Sequence, residues 1–177
     1  PGRRALGSHG LGAGGPGVAA ARRIAGRGPQ AGVLLVGASA VGDGSSGRNS
    51  GFLINLPHNT GMSGHGSPIE VARKQIALYN TGLAWLKSLI DQHQIDCGWN
   101  HVGKYHAAAT PDGAARLKST LQQYQEWGVA YTELGRDALQ QRLGTTHYHY
   151  GYHSDNNVFV QPAALVRGLA DSLPANV

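Results

Sequence analysis

Cysteine is almost missing: Cys97 is the single one in 177 residues. Neither an intrachain disulfide nor a multi-cysteine zinc site is available, and a reducing compartment, the cytoplasm, is the expected location. Acidic residues are scarce at the front of the chain. Residues 1–60 hold six Arg and only Asp43, while the remainder balances nine basic against nine acidic residues, so the net charge of +5 belongs to the first third. Aromatic residues are scarcer still, because none precedes Phe52. A basic arm that binds nucleic acid needs aromatic stacking platforms among its arginines, so no nucleic-acid partner is expected. No apolar stretch reaches the ~20 residues that span a bilayer, and Pro1-Gly2-Arg3-Arg4 is not followed by an apolar signal core, so no membrane partner is expected either.

Glycine is what the front of the chain has in abundance: 18 of the 27 lie at or before Gly66. After that point the text changes to amphipathic helices and short strands, which places a boundary near residues 61–67. Gly12-Ala13-Gly14-Gly15-Pro16-Gly17 satisfies G-x-G-x-x-G. In that pattern the first glycine makes a tight turn, the second admits a pyrophosphate and the third lets helix and strand touch. The following VAAARRIA segment (residues 18–25) has the small apolar composition of a helix packed on a sheet, and its N-terminus is suited to phosphate. Val33-Leu34-Leu35-Val36 then reads as a parallel strand buried on both faces.

Two features depart from the pattern. The strand expected before Gly12 falls on Arg3-Arg4-Ala5-Leu6-Gly7-Ser8-His9, which has poor strand character. At the end of the second strand, where an acidic side chain accepts hydrogen bonds from a ribose, Gly37 stands instead. The run from Gly42 to Phe52 is dense in small residues around one arginine, Arg48, so that backbone N–H groups and a guanidinium are offered to an anion.

Farther on, Ser67-Pro68-Ile69-Glu70 combines a capping hydroxyl, Pro at the first helical position and Glu three residues after the cap. Ile69, Ala72, Ile76, Tyr79, Leu83, Leu86 and Ile90 continue it as one apolar stripe. A strand is predicted over Val102–Ala109, a helix from Thr110-Pro111 to Gly128, a strand over Val129–Leu134, and a short helix over Arg136–Leu143. A strand over Thr145–Tyr152, another at Val158–Val160 and a helix from Pro162 follow. His147, His149 and His153 alternate along a predicted strand with no nearby Cys or second acidic ligand, and no metal site is expected.

G-x-G-x-x-G, the V-L-L-V strand, S-G-R-N-S-G-F, the long helix and the late V-Q-P-A-A-L-V-R-G-L-A segment together resemble the FAD-dependent oxidoreductases related to D-amino-acid oxidase. The resemblance is to the glycine oxidase and gamma-glutamylputrescine oxidase branch, runs from Gly12 to Val177 and covers only the front portion of that family's usual chain. It implies an α/β fold, α+β overall, with a Rossmann-like FAD-binding βαβ portion and part of an inserted α+β substrate domain. On this basis residues 1–66 belong to the FAD-binding domain, 67–160 to the substrate domain, and 161–177 return to the FAD-binding domain. It also implies FAD as cofactor, a small-molecule amine or amino acid as substrate, and a partner or further C-terminal segment completing the fold. Gly12, Gly14 and Gly17 are expected at the diphosphate, and Ser45, Ser46, Gly47, Arg48, Asn49, Gly51 and Phe52 on the flavin side. No residue is singled out as a catalytic acid or base. A noncatalytic binding module built on the same scaffold, or a nicotinamide-dependent dehydrogenase, are the alternatives.

Overall fold

The computed structural model describes residues 11–12, 14–30, 32–57 and 67–177. In chain order the elements are β1 (Leu11–Gly12), α1 (Gly15–Arg27), β2 (Leu35–Val36), β3 (Phe52–Ile54), α2 (Pro68–Gln92), β4 (Lys104–Ala108), α3 (Pro111–Trp127), β5 (Thr132–Gly135), α4 (Arg136–Leu143), β6 (Tyr150–Ser154), β7 (Asn157–Phe159) and α5 (Pro162–Asp171). The fold is mixed α/β. The segment Arg3–His9, where a poor strand is expected, lies outside the described residues, and β1 ends at Gly12, the first glycine of the pattern.

Two compact units share the chain. One takes the described residues of Pro1–Phe52, Trp85–Trp99 and Val160–Val177, and the other takes those of Leu53–Ala84 and Asn100–Phe159. α2 is continuous through Ala84 and Trp85, where the chain passes from one unit to the other.

In the first unit β1 lies parallel to β2, with Leu11 opposite Leu35 and Gly12 opposite Val36. Parallel neighbours need a crossover, and α1 supplies it. Gly17, Val18, Ala21 and Ala25 form the buried side of α1, and their small size allows close helix packing. β2 is shorter than Val33–Val36 and is not buried on both faces: Leu34 is 64% and Val36 54% exposed. Val33 gives its N–H to Asn176 O at 2.8 Å, and β1 is the only strand beside β2 among the described residues.

Arg22 of α1 ties the end of α5 in place. Its Nη2 donates to Ser172 O at 2.8 Å and to Ser172 Oγ at 2.5 Å, while Nη1 lies 3.2 Å from His93 Nε2. α5 begins as its sequence predicts, with Pro162 in the first turn and the Gln161 side-chain oxygen accepting from Ala164 N at 2.7 Å. Gly168 on α5 is in such close contact with Ile95 that an added Cβ would overlap that side chain.

The second unit is built on a three-stranded antiparallel sheet in the order β4-β6-β5, with Ala107 and Leu134 both opposite Gly151. Leu121 and Tyr124 of α3 join Leu56, Val129 and Tyr152 in its core. Tyr124 meets Tyr152 edge-on, with ring centroids 5.7 Å apart. Sequence and structure agree closely at α3. Thr110 Oγ1 accepts from Gly113 N at 3.1 Å, Pro111 occupies the first turn, and Gly128 closes the helix with φ of 75°.

α2 starts with the predicted reciprocal cap. Ser67 N donates to Glu70 Oε2 at 2.9 Å and Glu70 N to Ser67 Oγ at 3.3 Å. The backbone hydrogen bond from Ser67, followed by the Ser67 hydroxyl, lowers the Glu70 pKa. Its apolar stripe is only partly used: Ala72 and Ile90 are buried, whereas Ile69 and Tyr79 are exposed. The predicted strand at Thr145–Tyr152 forms only from Tyr150, because Gly144 turns the chain and Thr145 Oγ1 accepts from His147 N at 3.2 Å, making a local turn first.

Candidate functional site

The first unit contains a cleft of about 610 Å³, bounded by the start of α1, the chain just after β2, and the Gly42–Ser46 loop. Gly14, Pro16 and Gly17 form one wall; Gly37, Ala38, Ser39 and Ala40 a second; Gly42, Gly44, Ser45 and Ser46 a third. Such a volume lies in the range of small-molecule and cofactor sites. Its chemistry is unusual because no charged or aromatic side chain is among the described residues that line it.

Local chain geometry explains why these residues are small. Gly14 is the N-cap of α1 in extended conformation, with no side-chain cap hydrogen bond, and a Cβ there would stand 3.2 Å from Ser46 Oγ. Gly15 N donates to that same Oγ at 3.1 Å, joining two loops 31 residues apart in sequence. Ser46 therefore caps the first turn from outside, and its hydroxyl keeps a hydrogen that it can donate. At Gly47 any Cβ would run into the carbonyl of Gly42, so the loop closes only through a glycine. Gly51 has φ of 77° and packs against the Val160 carbonyl, with Val160 N donating to Gly51 O at 2.9 Å.

The electrostatics of the cleft favour an anion. The N-terminus of a helix carries partial positive charge, and the first turn of α1 has no acidic residue. Asp43, the sole acid of residues 1–60, is paired with Arg167 at 3.1 Å, and Arg167 Nε also donates to Val41 O at 3.1 Å.

The sequence-derived residues separate into three groups. Gly14, Gly17, Ser45 and Ser46 come together at the cleft. Gly47, Asn49 and Gly51 shape the loop: Asn49 Nδ2 donates to Ser45 O at 3.1 Å and Ser46 O at 2.9 Å, and its Oδ1 accepts from Gly51 N at 2.8 Å. Arg48 is exposed and is not among the lining residues; Phe52 opens β3 and is 51% exposed. Gly12 ends β1 opposite Val36. Sequence reasoning passed over Ala38 and Ser39, whose only signal is their position directly after a parallel strand. Of the other residues weighed, Cys97 is buried, and burial, with Asp96 nearby, raises its thiol pKa. His149 is held by Arg136 and His153 Nε2 lies 3.0 Å from Val102 O, so these two imidazoles engage separate partners.

A parallel βαβ unit with a glycine turn at the helix N-terminus and a charge-free, glycine-walled cleft is an arrangement that dinucleotide-binding folds use for phosphate. The family model described as FAD dependent oxidoreductase matches residues 11–176. The chain belongs to that FAD-dependent family. No curated protein matches its sequence. Among solved structures it is similar to glycine oxidase from Bacillus cereus ATCC 14579 (20% identity, TM-score 0.68), over 91% of this chain and 41% of that one. It is also similar to an L-amino acid deaminase from Proteus myxofaciens (19%, 0.65; 96% and 37% covered) and an L-proline dehydrogenase from P. horikoshii (12%, 0.62; 94% and 42%). At these identities the likeness concerns the fold, and the chain spans about two fifths of the length of each of these structures. Among the described residues no helix is long and apolar enough to cross a membrane.

The residues present fit the diphosphate of FAD: Gly14 and Gly17 bring the glycine-rich start of α1 to the cleft, and no acid is among the described residues that line it. They do not supply a carboxylate for the adenosine ribose, since Gly37 and Ala38 follow β2.

Proposed function

We propose that this chain forms the FAD-binding cradle and part of the substrate-facing domain of an oxidase that acts on a primary or secondary amine or an amino acid, with oxygen as electron acceptor. The observation that carries this reading is the Gly15 N to Ser46 Oγ hydrogen bond at 3.1 Å, which closes the fingerprint turn onto the Ser45–Asn49 loop around a cleft free of charged side chains. Bound FAD supplies the hydride acceptor and the route for electrons to oxygen.

The chain's own part is to bind and to orient. Gly14 and Gly17 keep the head of α1 bare, so that a diphosphate reaches its backbone without meeting a side chain. Ser46 holds the two loops together and offers its hydroxyl hydrogen to the anion. Asn49 braces the loop through three hydrogen bonds, two of them to the Ser45 and Ser46 carbonyls. Arg48 stands exposed on that loop and adds positive charge near the diphosphate.

The test is the visible absorption spectrum of the purified protein. A flavin spectrum that persists through gel filtration, or that develops on adding FAD, supports the reading. A folded, colourless chain that takes up no FAD overturns it.

A further inference from the structure

The ribose end of the cleft departs from the usual arrangement. In dinucleotide-binding folds the chain just past the second strand presents an acidic side chain to the ribose hydroxyls. Here that stretch is Gly37, Ala38 and Ser39, all three lining the cleft with Gly14 and Gly17. Gly37 and Ala38 have no polar side-chain atom, so Ser39 is the first residue after β2 that can meet a hydroxyl. Asp43, the nearest acid in sequence, is bonded to Arg167 and is not among the lining residues.

We propose that the Ser39 hydroxyl takes the adenosine ribose in place of a carboxylate, and that the cleft consequently does not exclude a phosphate on the ribose 2′ oxygen. A carboxylate only accepts hydrogen bonds and repels a phosphate; a hydroxyl both donates and accepts and carries no charge. With no acidic side chain among the described lining residues, a 2′-phosphate meets a donor and no like charge. The inference rests on the FAD reading above, and it specifies which adenosine ends that same site tolerates.

The experiment is calorimetric titration of the apo protein with ADP-ribose and with 2′-phospho-ADP-ribose, alongside FAD. The expected result is that the two ADP-riboses bind within about threefold of each other, and that Ser39→Ala weakens ADP-ribose by roughly three- to tenfold, the effect of one hydrogen bond. Gly37→Glu is expected to restore discrimination, rejecting the 2′-phosphate by about tenfold or more, as a like charge at that position requires. Circular dichroism confirms that each variant is folded.

If the unaltered protein rejects the 2′-phosphate tenfold, if folded Ser39→Ala binds ADP-ribose unchanged, or if folded Gly37→Glu fails to discriminate, the inference is overturned. FAD uptake in those same samples leaves the cofactor reading standing. Uptake of neither FAD nor ADP-ribose by a folded chain overturns both.

Discussion

Gly15 and Ser46 meet across 3.1 Å, the backbone amide of one donating to the side-chain oxygen of the other. Removing the hydroxyl in Ser46→Ala deletes this bond and the hydrogen that the hydroxyl can donate. Weakening of FAD uptake by about 0.5–1.5 kcal/mol, or roughly three- to tenfold, is expected. Fluorescence titration with FAD reads this directly, and an unchanged affinity removes Ser46 from the site.

The Gly42–Gly51 loop permits a contrast between two glycines. An added methyl at Gly47 would overlap the Gly42 carbonyl, whereas Gly44 has nothing within 4 Å and no positive φ. Gly47→Ala is expected to cost about 1–3 kcal/mol of stability through overpacking. Gly44→Ala is expected to be neutral or to stabilise by about 0.4–1 kcal/mol through the unfolded chain. Urea midpoints of the two variants check the pair. Equal midpoints would show that the loop relaxes freely around residue 47.

Arg48 separates binding from folding. Its side chain is exposed, so Arg48→Ala should leave stability within about 0.5 kcal/mol. The proposed charge contribution predicts that FAD uptake weakens by about 0.2–1 kcal/mol in the same variant, with recovery in Arg48→Lys. Full FAD affinity in Arg48→Ala would assign the arginine to the solvent.

His106 gives the second unit a pH signature. Its ring stacks on Tyr152 with centroids 4.8 Å apart, and its Nε2 is buried without a hydrogen-bond partner among the described residues. Burial, followed by the nearby Lys104 ammonium, holds its pKa below the ordinary 6.5. The unfolded chain therefore binds the proton first as pH falls, and stability declines through the window from 6.5 down to the depressed folded value. Above that window the contribution is constant. Comparing urea midpoints at about pH 7.5 and 5.5, the decline should be smaller in His106→Gln than in the unaltered protein. Equal declines would place the pH sensitivity elsewhere.

Local chemistry was legible where it acts alone. Thr110-Pro111 and Gly128 bound α3, and Ser67 with Glu70 starts α2, because caps depend on residues a few positions apart. Burial was less legible. Leu34, Val36, Ile69 and Tyr79 have the composition of core residues, but whether an apolar side chain is covered depends on what else packs there. The same limit applies to the site: the small residues of its loop are evident in the sequence, yet only the fold brings Ser39 to the same cleft as Gly14. Arg48 was the most conspicuous residue of its loop, yet it is the side chain of Asn49, also exposed, that braces the chain.

The cleft built from Gly14, Gly17, Gly37, Ala38, Gly42 and Gly44 has almost no side-chain torsions to immobilise when a ligand arrives. Glycine, alanine and proline lose no rotamer freedom on burial, so the ordering penalty of binding falls almost wholly on the ligand. Recognition here is stored in the path of the main chain. Any sequence that follows this path, stays small and keeps the Ser39 and Ser46 hydroxyls inherits it, while enlargement at Gly47 displaces the path itself.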